Sequence, residues 1–309
     1  MTWTLYRWIW RVKSPLYVSM HPAGVLTRCR LYVPAHTLWG AVTNELGKQE
    51  VEYPAGNKFE SSEEVRKYYR QIGDYLKEDT RFSYLYPAEQ VNGQWKAWLP
   101  CYQVGQGLCW LREDEDKENQ VDKEYVSHRA FRSRLLYTRL STAIERKTGT
   151  AADETLHETE CLQPFWRGSG KKDVKSVAMV GYVFIKDDAL LTQLEKINDL
   201  LVGADTRYGL GHLNLEVKLE KSEQLFNLKT NLSQGEIRIS LEAQQAILGH
   251  TVQECGIFSG ALEAMGCWDM HQGQQSTNHL YWSPGSLVED RKELTITLNG
   301  EWKSPRRLG

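Results

Sequence analysis

Short apolar runs and alternating apolar and polar positions dominate this chain, and both patterns are typical of β-strands. The segment Trp3–Val12 alternates and is rich in aromatic and β-branched residues, which predicts a strand. Val177–Ile185 is apolar throughout and therefore predicts a strand buried on both faces. Weaker versions of the same patterns predict five further strands at Val25–Val33, Arg81–Tyr86, Trp95–Val104, Asn214–Leu219 and Ile237–Leu241.

Three segments follow a helical period instead. Leu38–Leu46 comes after a proline-containing loop, and Gly47 is expected to end that helix. Ser61–Lys77 predicts a second helix, and Asp187 or Asp188 can cap a third. The apolar stripe expected on the third helix consists of Leu190, Leu191, Leu194, Ile197 and Leu201.

The order of these elements predicts an α+β fold in two parts. Residues 177–219 read as strand, helix, glycine loop and strand, which is the second half of a ferredoxin-like (RRM-like) arrangement. We therefore expect residues 1–220 to form a ferredoxin-like domain with inserted segments and a glycine-rich loop. Residues 221–309 contain further strands and turns and are expected to form a second, smaller β-rich lobe that is also ferredoxin-like.

The composition narrows the class of protein. Of 309 residues, 41% are hydrophobic and 25% are charged, as in globular proteins, and no apolar run approaches the roughly 20 residues that span a bilayer. The aromatic N-terminus carries three basic residues and does not have the pattern of a signal peptide. Six cysteines without a C-x-x-C pair favour neither zinc nor disulfides, so we expect a reduced, cytoplasmic protein without metal or cofactor.

Charge is unevenly placed along the chain. The formal net charge of −2 argues against nucleic-acid binding by bulk charge but allows a local basic patch. Glu113–Glu124 holds seven acidic residues and two lysines, and we expect an exposed, mobile loop there. His128–Lys147 holds five arginines and one lysine against one acid. Either this stretch contacts a polyanion, or the two charged segments offset each other on a solvated face.

A glycine-rich segment at residues 203–212 is the main candidate for function. Glycine permits positive φ and close approach of another molecule, and amides exposed in such a loop can bind phosphate oxygens. Tyr208 and His212 can stack on or hydrogen-bond to a nucleotide. The alternative is that the glycines only cap and turn the chain. The central residues are Gly203, Arg207, Gly209 and Gly211.

Three segments together resemble the RAMP superfamily of CRISPR-associated RNA-binding proteins. Tyr32–Leu46 (YVPAHTLWGAVTNEL) is similar to that family's "IPGSSLRGALR" loop and helix, with His36 and Thr37 in place of small residues. Arg139–Phe165 is similar to the family segment "R-x-x-I-D/N-R-x-T-G-x-A" through Ile144, Arg146, Thr148 and Gly149. The glycine-rich loop follows, as it does in the family.

The resemblance implies a RAMP fold that binds CRISPR RNA (crRNA) within a ribonucleoprotein used in antiviral defence. It also implies partners, namely a large polymerase-like subunit and neighbouring RAMP backbone subunits, and no membrane. The residues that it assigns to RNA binding are Arg28, Arg30, His36, Thr37, Arg139, Arg146, Lys147, Thr148, Gly203, Arg207, Tyr208, Gly209, Gly211 and His212.

Members of this superfamily have three roles, and the sequence favours one of them. Trp282–Leu287 resembles a late turn and strand of capping subunits in type III complexes, which grip the 5′ handle of the guide. A backbone subunit that cleaves target RNA uses a loop aspartate, whereas Ser14–Thr27 contains no acid. We therefore expect a non-catalytic capping subunit of a type III complex, with type III-D as a candidate subtype.

Two alternatives remain open at this point. A metal-independent endoribonuclease that processes precursor crRNA needs a base and an acid, and His21 or His36, assisted by Tyr32 or Lys13, are the candidates. The second alternative is that the chain is a structural α+β scaffold that binds no RNA. Measured RNA affinity separates the scaffold from both RNA hypotheses.

Overall fold

The protein is described here as a computed structural model. It describes residues 2–20, 26–50, 62–115, 124–168, 174–232, 235–256, 258–266, 268–269, 274–275 and 279–305. Four α-helices lie within these ranges, and none has the length and apolarity needed to cross a membrane. They are α1 (Ala35–Glu50), α2 (Ser62–Asp79), α3 (His128–Leu135) and α4 (Asp188–Leu194).

Twelve strands precede residue 222, and most of them join one nine-stranded sheet. Its order is β11-β12-β1-β10-β4-β5-β6-β7, with β3 also paired to β10, while β2, β9 and β8 form a separate three-stranded sheet. The strands are β1 (Thr4–Val12), β2 (Leu26–Thr27), β3 (Thr80–Phe82), β4 (Tyr86–Val91), β5 (Gln94–Gln103), β6 (Gly107–Arg112), β7 (Val126–Ser127), β8 (Leu136–Ser141), β9 (His157–Leu162), β10 (Ala178–Ile185), β11 (Asp199–Leu201) and β12 (His212–Lys221).

The centre of this sheet is formed by the two strands that the sequence predicts most clearly. β1 pairs antiparallel with β10 over eight residue pairs and with β12 on its other side. All eight residues of β10 are buried, as the uninterrupted apolar run predicts. Four strands of this sheet lie side by side in the order β12, β1, β10 and β4. In chain order these are the fourth, first, third and second of the four, and every neighbouring pair is antiparallel.

A second sheet of eight strands lies in residues 224–303. Its order is β13-β14-β15-β23-β24-β16-β21-β18, with β17 paired to β22 and β19 to β20 apart from it. The strands are β13 (Gln224–Leu225), β14 (Leu228–Asn231), β15 (Arg238–Leu241), β16 (Thr251–Val252), β17 (Phe258–Ser259), β18 (Leu262–Met265), β19 (Trp268–Asp269), β20 (Gln274–Gln275), β21 (His279–Trp282), β22 (Leu287–Val288), β23 (Lys292–Ile296) and β24 (Trp302–Lys303).

Buried tyrosines connect the two sheets. The Tyr86 hydroxyl donates to the Leu248 carbonyl at 3.1 Å, and the Tyr86 ring packs edge-on against Phe226 with centroids 5.6 Å apart. The Tyr84 hydroxyl lies 2.7 Å from Nδ1 of His250. Apolar residues from both sheets belong to a single hydrophobic core. The division at residue 220 remains a prediction, and it coincides with the change from one sheet to the next.

The first helix corrects the prediction that it ends at Gly47. α1 continues to Glu50. A Cβ on Gly47 would lie 2.4 Å from Cε1 of Tyr69 on α2, and a Cβ on Gly73 would lie 2.6 Å from the Trp39 ring. These glycines therefore let the two helices pack closely. That role depends on tertiary contacts, which rules for local helix capping do not consider.

Other boundaries also differ from the prediction. Val25 lies outside the described residues, and residues 26–33 do not form one strand: β2 covers two residues, and Cys29 forms an isolated bridge to Ser19. α4 ends at Leu194, and the predicted stripe residue Leu201 instead lies in β11, where it pairs with His212. The helix α3 lies in a segment for which the sequence predicted no helix.

The acidic segment Glu113–Glu124 is only partly described, since residues 116–123 lie outside the described ranges. Its first residues are ion-paired and not free in solvent. Glu113 lies 2.6 Å from Arg7 of β1, and Asp114 and Glu115 each lie 2.6 Å from Arg112. Ion pairs thus tie the start of this segment to strands of the sheet, which corrects the expectation of a loop exposed along its whole length.

Candidate functional site

The glycine-rich segment forms a compact loop between β11 and β12. Four of its residues have left-handed backbone, Gly203 (φ +87°), Asp205 (φ +58°), Gly209 (φ +82°) and Gly211 (φ +78°). A single 3-10 turn, Thr206–Tyr208, lies between them. Glycine is suited to such a path because it lacks the Cβ that opposes positive φ.

Two of the three glycines have a structural role. A Cβ on Gly203 would lie 2.2 Å from the Tyr17 carbonyl oxygen, and one on Gly211 would lie 2.0 Å from the Val202 carbonyl oxygen. The Gly211 amide donates to the Pro15 carbonyl at 2.8 Å, so it is already used within the protein. The turn hypothesis is therefore correct for these two residues, which hold the loop against the segment after β1.

The third glycine lies at the open tip of the loop. A Cβ on Gly209 would have no heavy atom within 4 Å. Gly209 and Arg207 are exposed, and the Tyr208 ring is 74% exposed. The Tyr208 and Gly209 amides donate to Asp205 and Thr206 within the turn. The tip consequently offers side chains to a ligand, where the sequence suggested backbone amides.

A cavity of about 460 Å³ lies between this loop and the start of α1. It brings together four of the residues that the sequence assigned to RNA binding, from three separate parts of the chain. Its opposite wall includes Met20 and, from the second sheet, Ala264–Gly266. The four predicted residues are Arg30, His36, Thr37 and Gly203.

Arg30 forms part of the cavity wall but is committed to contacts within the protein. It is 8% exposed and ion-paired through Nη1 with Glu263 of β18. Its Nε donates to the Ser19 carbonyl at 3.2 Å, and its Nη1 donates to the Tyr32 hydroxyl at 3.0 Å. A direct contact of Arg30 with RNA stays a prediction, and its observed contacts join the segment after β2 to the second sheet.

A buried hydrogen-bonded chain continues from this ion pair. Glu263 Oε2 lies 2.9 Å from Nε2 of His250, whose Nδ1 lies 2.7 Å from the Tyr84 hydroxyl. Burial alone raises the Glu263 pKa, but the hydrogen bond from His250 and the charge of Arg30 outweigh it and lower the pKa to about 2. Burial lowers the pKa of His250, so this histidine is neutral near pH 7.

His36 lies at the start of α1 and faces the same cavity. Burial, followed by repulsion from His250 and Arg30, lowers the pKa of His36 to about 4. The imidazole is therefore neutral at pH 7 and can donate or accept one hydrogen bond, but it cannot supply a positive charge to a phosphate.

This pKa predicts a pH dependence of stability. Because the folded pKa of His36 lies below the ordinary value of about 6.5, its contribution is complete above pH 6.5 and is lost as pH falls toward 4. Replacing His36→Gln should reduce the loss of unfolding free energy between pH 7 and pH 5 by about 1–2 kcal/mol. Urea unfolding at both pH values measures this, and equal losses in the two proteins would contradict it.

A hairpin of β8 and β9 flanks the glycine loop. Cys161 of β9 is buried, and burial raises its pKa to about 11; the charge of Arg139 opposes this increase and that of Asp205 adds to it. Arg139 of β8 is half-buried and pairs with Thr159 of β9, two residues before Cys161. Leu16 and Leu162 form a bridge that ties this hairpin to the same segment.

The other predicted residues lie outside the cavity. Arg146, Lys147 and Thr148 are exposed at the tip of the hairpin, where the Thr148 hydroxyl donates to Glu145 at 3.1 Å. The ring of His212 is bound to Asp199, with 2.7 Å between Nε2 and Oδ1. Arg28 is half-buried on the segment after β2. The alternative residue His21 lies outside the described residues.

Sequence analysis missed the contribution of the second sheet. Met265 lines the cavity, and its sulfur accepts a hydrogen bond from Arg30 Nη2 at 3.3 Å. Glu263, two residues earlier in β18, is bound to His250. No local motif marks these residues, since Glu263 and Met265 lie more than 200 positions after their partner Arg30 in the chain. No cluster that could hold a metal ion occurs among the described residues.

The fold is α+β, and the site is a cleft between a glycine loop, the start of a helix and the edge of a second sheet. No protein-family model matches the chain. No curated protein sequence matches it either.

Solved structures give two similarities. The chain is similar to one in the cryo-EM structure of type III-B Cmr-beta bound to cognate target RNA and AMPPnP, with a TM-score of 0.55, 13% identity and coverage of 96% of this chain and 99% of that chain. It is also similar to one in type III-B Cmr-beta bound to cognate target RNA, with a TM-score of 0.51, 14% identity and coverage of 91% and 86%. At such identities the similarity concerns the fold.

Proposed function

We propose that this chain is a non-catalytic, crRNA-binding subunit of a type III CRISPR ribonucleoprotein complex. The observation that carries the proposal is the convergence of the glycine loop and the start of α1 on one cleft. Arg207 is exposed further along the same loop. The fold similarity to chains of type III-B Cmr-beta supports it. Its partners are then the guide RNA, a large polymerase-like subunit and neighbouring RAMP subunits.

The strand order supports a ferredoxin-like RAMP domain in residues 1–220. In such a domain four antiparallel strands have the order fourth, first, third, second, with helices after the first and third strands. β12, β1, β10 and β4 have this order, α1 and α2 follow β1, and α4 follows β10. Residues 221–309 are then a smaller lobe whose hairpin residues Ala264–Gly266 complete the cleft.

The chemistry of the loop tip fits the backbone of RNA. Arg207 offers a planar guanidinium that can bind a phosphate through two parallel hydrogen bonds. Tyr208 presents an exposed ring on which a base can stack, and no side chain at Gly209 blocks the approach. These contacts recognise a phosphate and the face of a base but do not distinguish one base from another. Such contacts suit a subunit that holds a constant 5′ handle.

Replacing Arg207→Ala should weaken guide-RNA affinity by roughly 1–2 kcal/mol, about tenfold, because one phosphate contact is lost. The slope of log affinity against log salt should also fall by about one. Fluorescence anisotropy with a labelled guide RNA over a series of salt concentrations measures both quantities.

Lys196→Gln is a matched control, because Lys196 is also exposed and lies on the same edge of the sheet but outside the loop. It should leave affinity nearly unchanged. Equal affinity and an equal salt slope for Arg207→Ala and the unmodified protein would reject the loop assignment.

Processing of precursor crRNA is the second candidate, and the neutral His36 in the cavity wall favours it. A neutral imidazole can accept the proton of a 2′-hydroxyl. Incubating a repeat RNA with the protein in chelator distinguishes the two functions. Cleavage that disappears in a folded His36→Ala protein would establish the endoribonuclease, whereas intact RNA bound with undiminished affinity supports the non-catalytic subunit.

A further inference from the structure

A second cavity, of about 690 Å³, opens between the first and second sheets. One side is formed by Trp3 before β1, Arg81 in β3 and Lys186 after β10. The other side is formed by the second sheet, with Arg238 in β15 and Lys303 in β24. Six charged side chains line it, four basic and two acidic, so its wall carries an excess of positive charge.

This cavity is distant from the glycine loop. It lies at the beginning of β1. The glycine loop leads into β12 at His212, and the next residue, Leu213, pairs with Val12 at the end of β1. The nine residues of β1 span roughly 30 Å at about 3.3 Å per residue. A ligand here does not compete for the residues of the first cleft.

The arrangement of its cations is fixed by a buried indole. Trp3 is 5% exposed, and its Nε1 donates to the Gly235 carbonyl at 3.0 Å. The Arg81 guanidinium lies 5.2 Å and the Lys186 ammonium 4.4 Å from the centre of the Trp3 ring. Attraction to the ring faces holds both cations close together, although like charges repel.

These cations are not neutralised by carboxylates. In the part of the chain that the structure describes, no acidic oxygen lies within 4.0 Å of Arg81, Lys186 or Lys303. Arg238 differs, because its Nη1 lies 3.0 Å from Glu293. Arg81 also donates through Nη1 to the Lys77 and Thr80 carbonyls at the end of α2, which fixes its position. Three cations without a close carboxylate partner in a concave wall attract anions.

We propose that this cavity binds the phosphate of a nucleotide, either a free nucleotide or the terminal nucleotide of an RNA strand. Arg81, Lys186 and Lys303 would hold the phosphate oxygens by charge-assisted hydrogen bonds. The carboxylate of Glu236 in the same wall can accept a hydrogen bond from a sugar hydroxyl or a base amino group. The volume lies in the range of clefts that enclose ligands of this size.

Isothermal titration of the full chain with adenosine 5′-monophosphate, inorganic phosphate and adenosine tests the proposal. The monophosphate should bind at least tenfold more tightly than adenosine, because the phosphate supplies the charged contacts. Lys186→Gln and Lys303→Gln should each weaken that binding roughly tenfold, and the control Lys196→Gln should not change it. Thermal unfolding verifies that each variant is folded.

A pair of hexameric RNAs, one with a 5′-phosphate and one with a 5′-hydroxyl, identifies the source of the nucleotide. Tighter binding of the phosphorylated strand that is lost in Lys186→Gln assigns the cavity to a strand end, and equal binding of both strands assigns it to a free nucleotide. Equal affinities for adenosine and its monophosphate, or no effect of either lysine variant, would overturn the proposal. Arg207→Ala should leave monophosphate affinity unchanged, so failure here is distinguishable from failure of the guide-RNA function.

Discussion

Replacing Arg30→Met should lower the free energy of unfolding by about 3–5 kcal/mol. The guanidinium is 8% exposed and holds Glu263, the Ser19 carbonyl and the Tyr32 hydroxyl at once. Without it, a largely buried carboxylate keeps hydrogen bonds with His250 at 2.9 Å and Tyr32 at 3.5 Å but has no cationic partner. Because desolvation of an unpaired charge is costly, most of the loss comes from the group left behind and not from the missing contact.

Urea unfolding at pH 7 measures this effect, and two further variants serve as controls for it. Arg11→Met removes an ion pair of similar length, 2.6 Å to Glu216, at a site where 37% of the arginine side chain is exposed, and should cost below about 1 kcal/mol. The double variant Arg30→Met/Glu263→Gln should be less destabilised than the sum of its single variants, because the buried charge leaves with its partner. Additive losses in the double variant would refute the buried-charge explanation.

The second large effect is expected at Gly211. An Ala side chain there places Cβ 2.0 Å from the Val202 carbonyl oxygen and 3.0 Å from its carbon, at φ +78°. Backbone atoms cannot rotate away as a side chain can, so the loop must move. We expect Gly211→Ala to cost about 3 kcal/mol or more in stability and to weaken guide-RNA binding more strongly than Arg207→Ala does.

Gly209→Ala is the matched control for that experiment. Its φ of +82° imposes the same left-handed penalty of about 1–2 kcal/mol, but no atom lies within 4 Å of the added Cβ. The difference between the two variants therefore isolates the contact with Val202. Thermal unfolding together with RNA anisotropy measures both effects, and equal destabilisation by the two alanines would show that the contact does not matter.

The local sequence pattern was sufficient to predict β1 and β10, the two central strands of the first sheet. The alternation of Trp3–Val12 and the apolar run before Ile185 identify β1 and β10, because burial on one or both faces of a sheet directly selects such residues. Gly47 illustrates the limit of that reasoning. It fits a helix end by sequence, yet its observed environment is the Tyr69 ring of another helix, which no window around residue 47 contains.

The site was predictable to a similar extent. The glycine loop and the start of α1 were identified as separate motifs, and the structure brings Gly203 and His36 to one cavity. The Gly211 amide donates to the Pro15 carbonyl within the protein, and a contact of Gly211 with RNA stays a prediction. The contribution of Glu263 could not be inferred, because pairing with Arg30 depends on how the second sheet docks on the first.

The order of strands in the second sheet has a consequence for biosynthesis. β24 (Trp302–Lys303) lies between β23 and β16, although β16 is about fifty residues earlier in the chain. As the nascent polypeptide emerges from the ribosome, β16 lacks its neighbour on that side until residue 303 has been made. The strand that follows His250 therefore gains its last neighbour late in synthesis, so we expect any ligand of the adjacent cleft to bind after translation of this region and not during it.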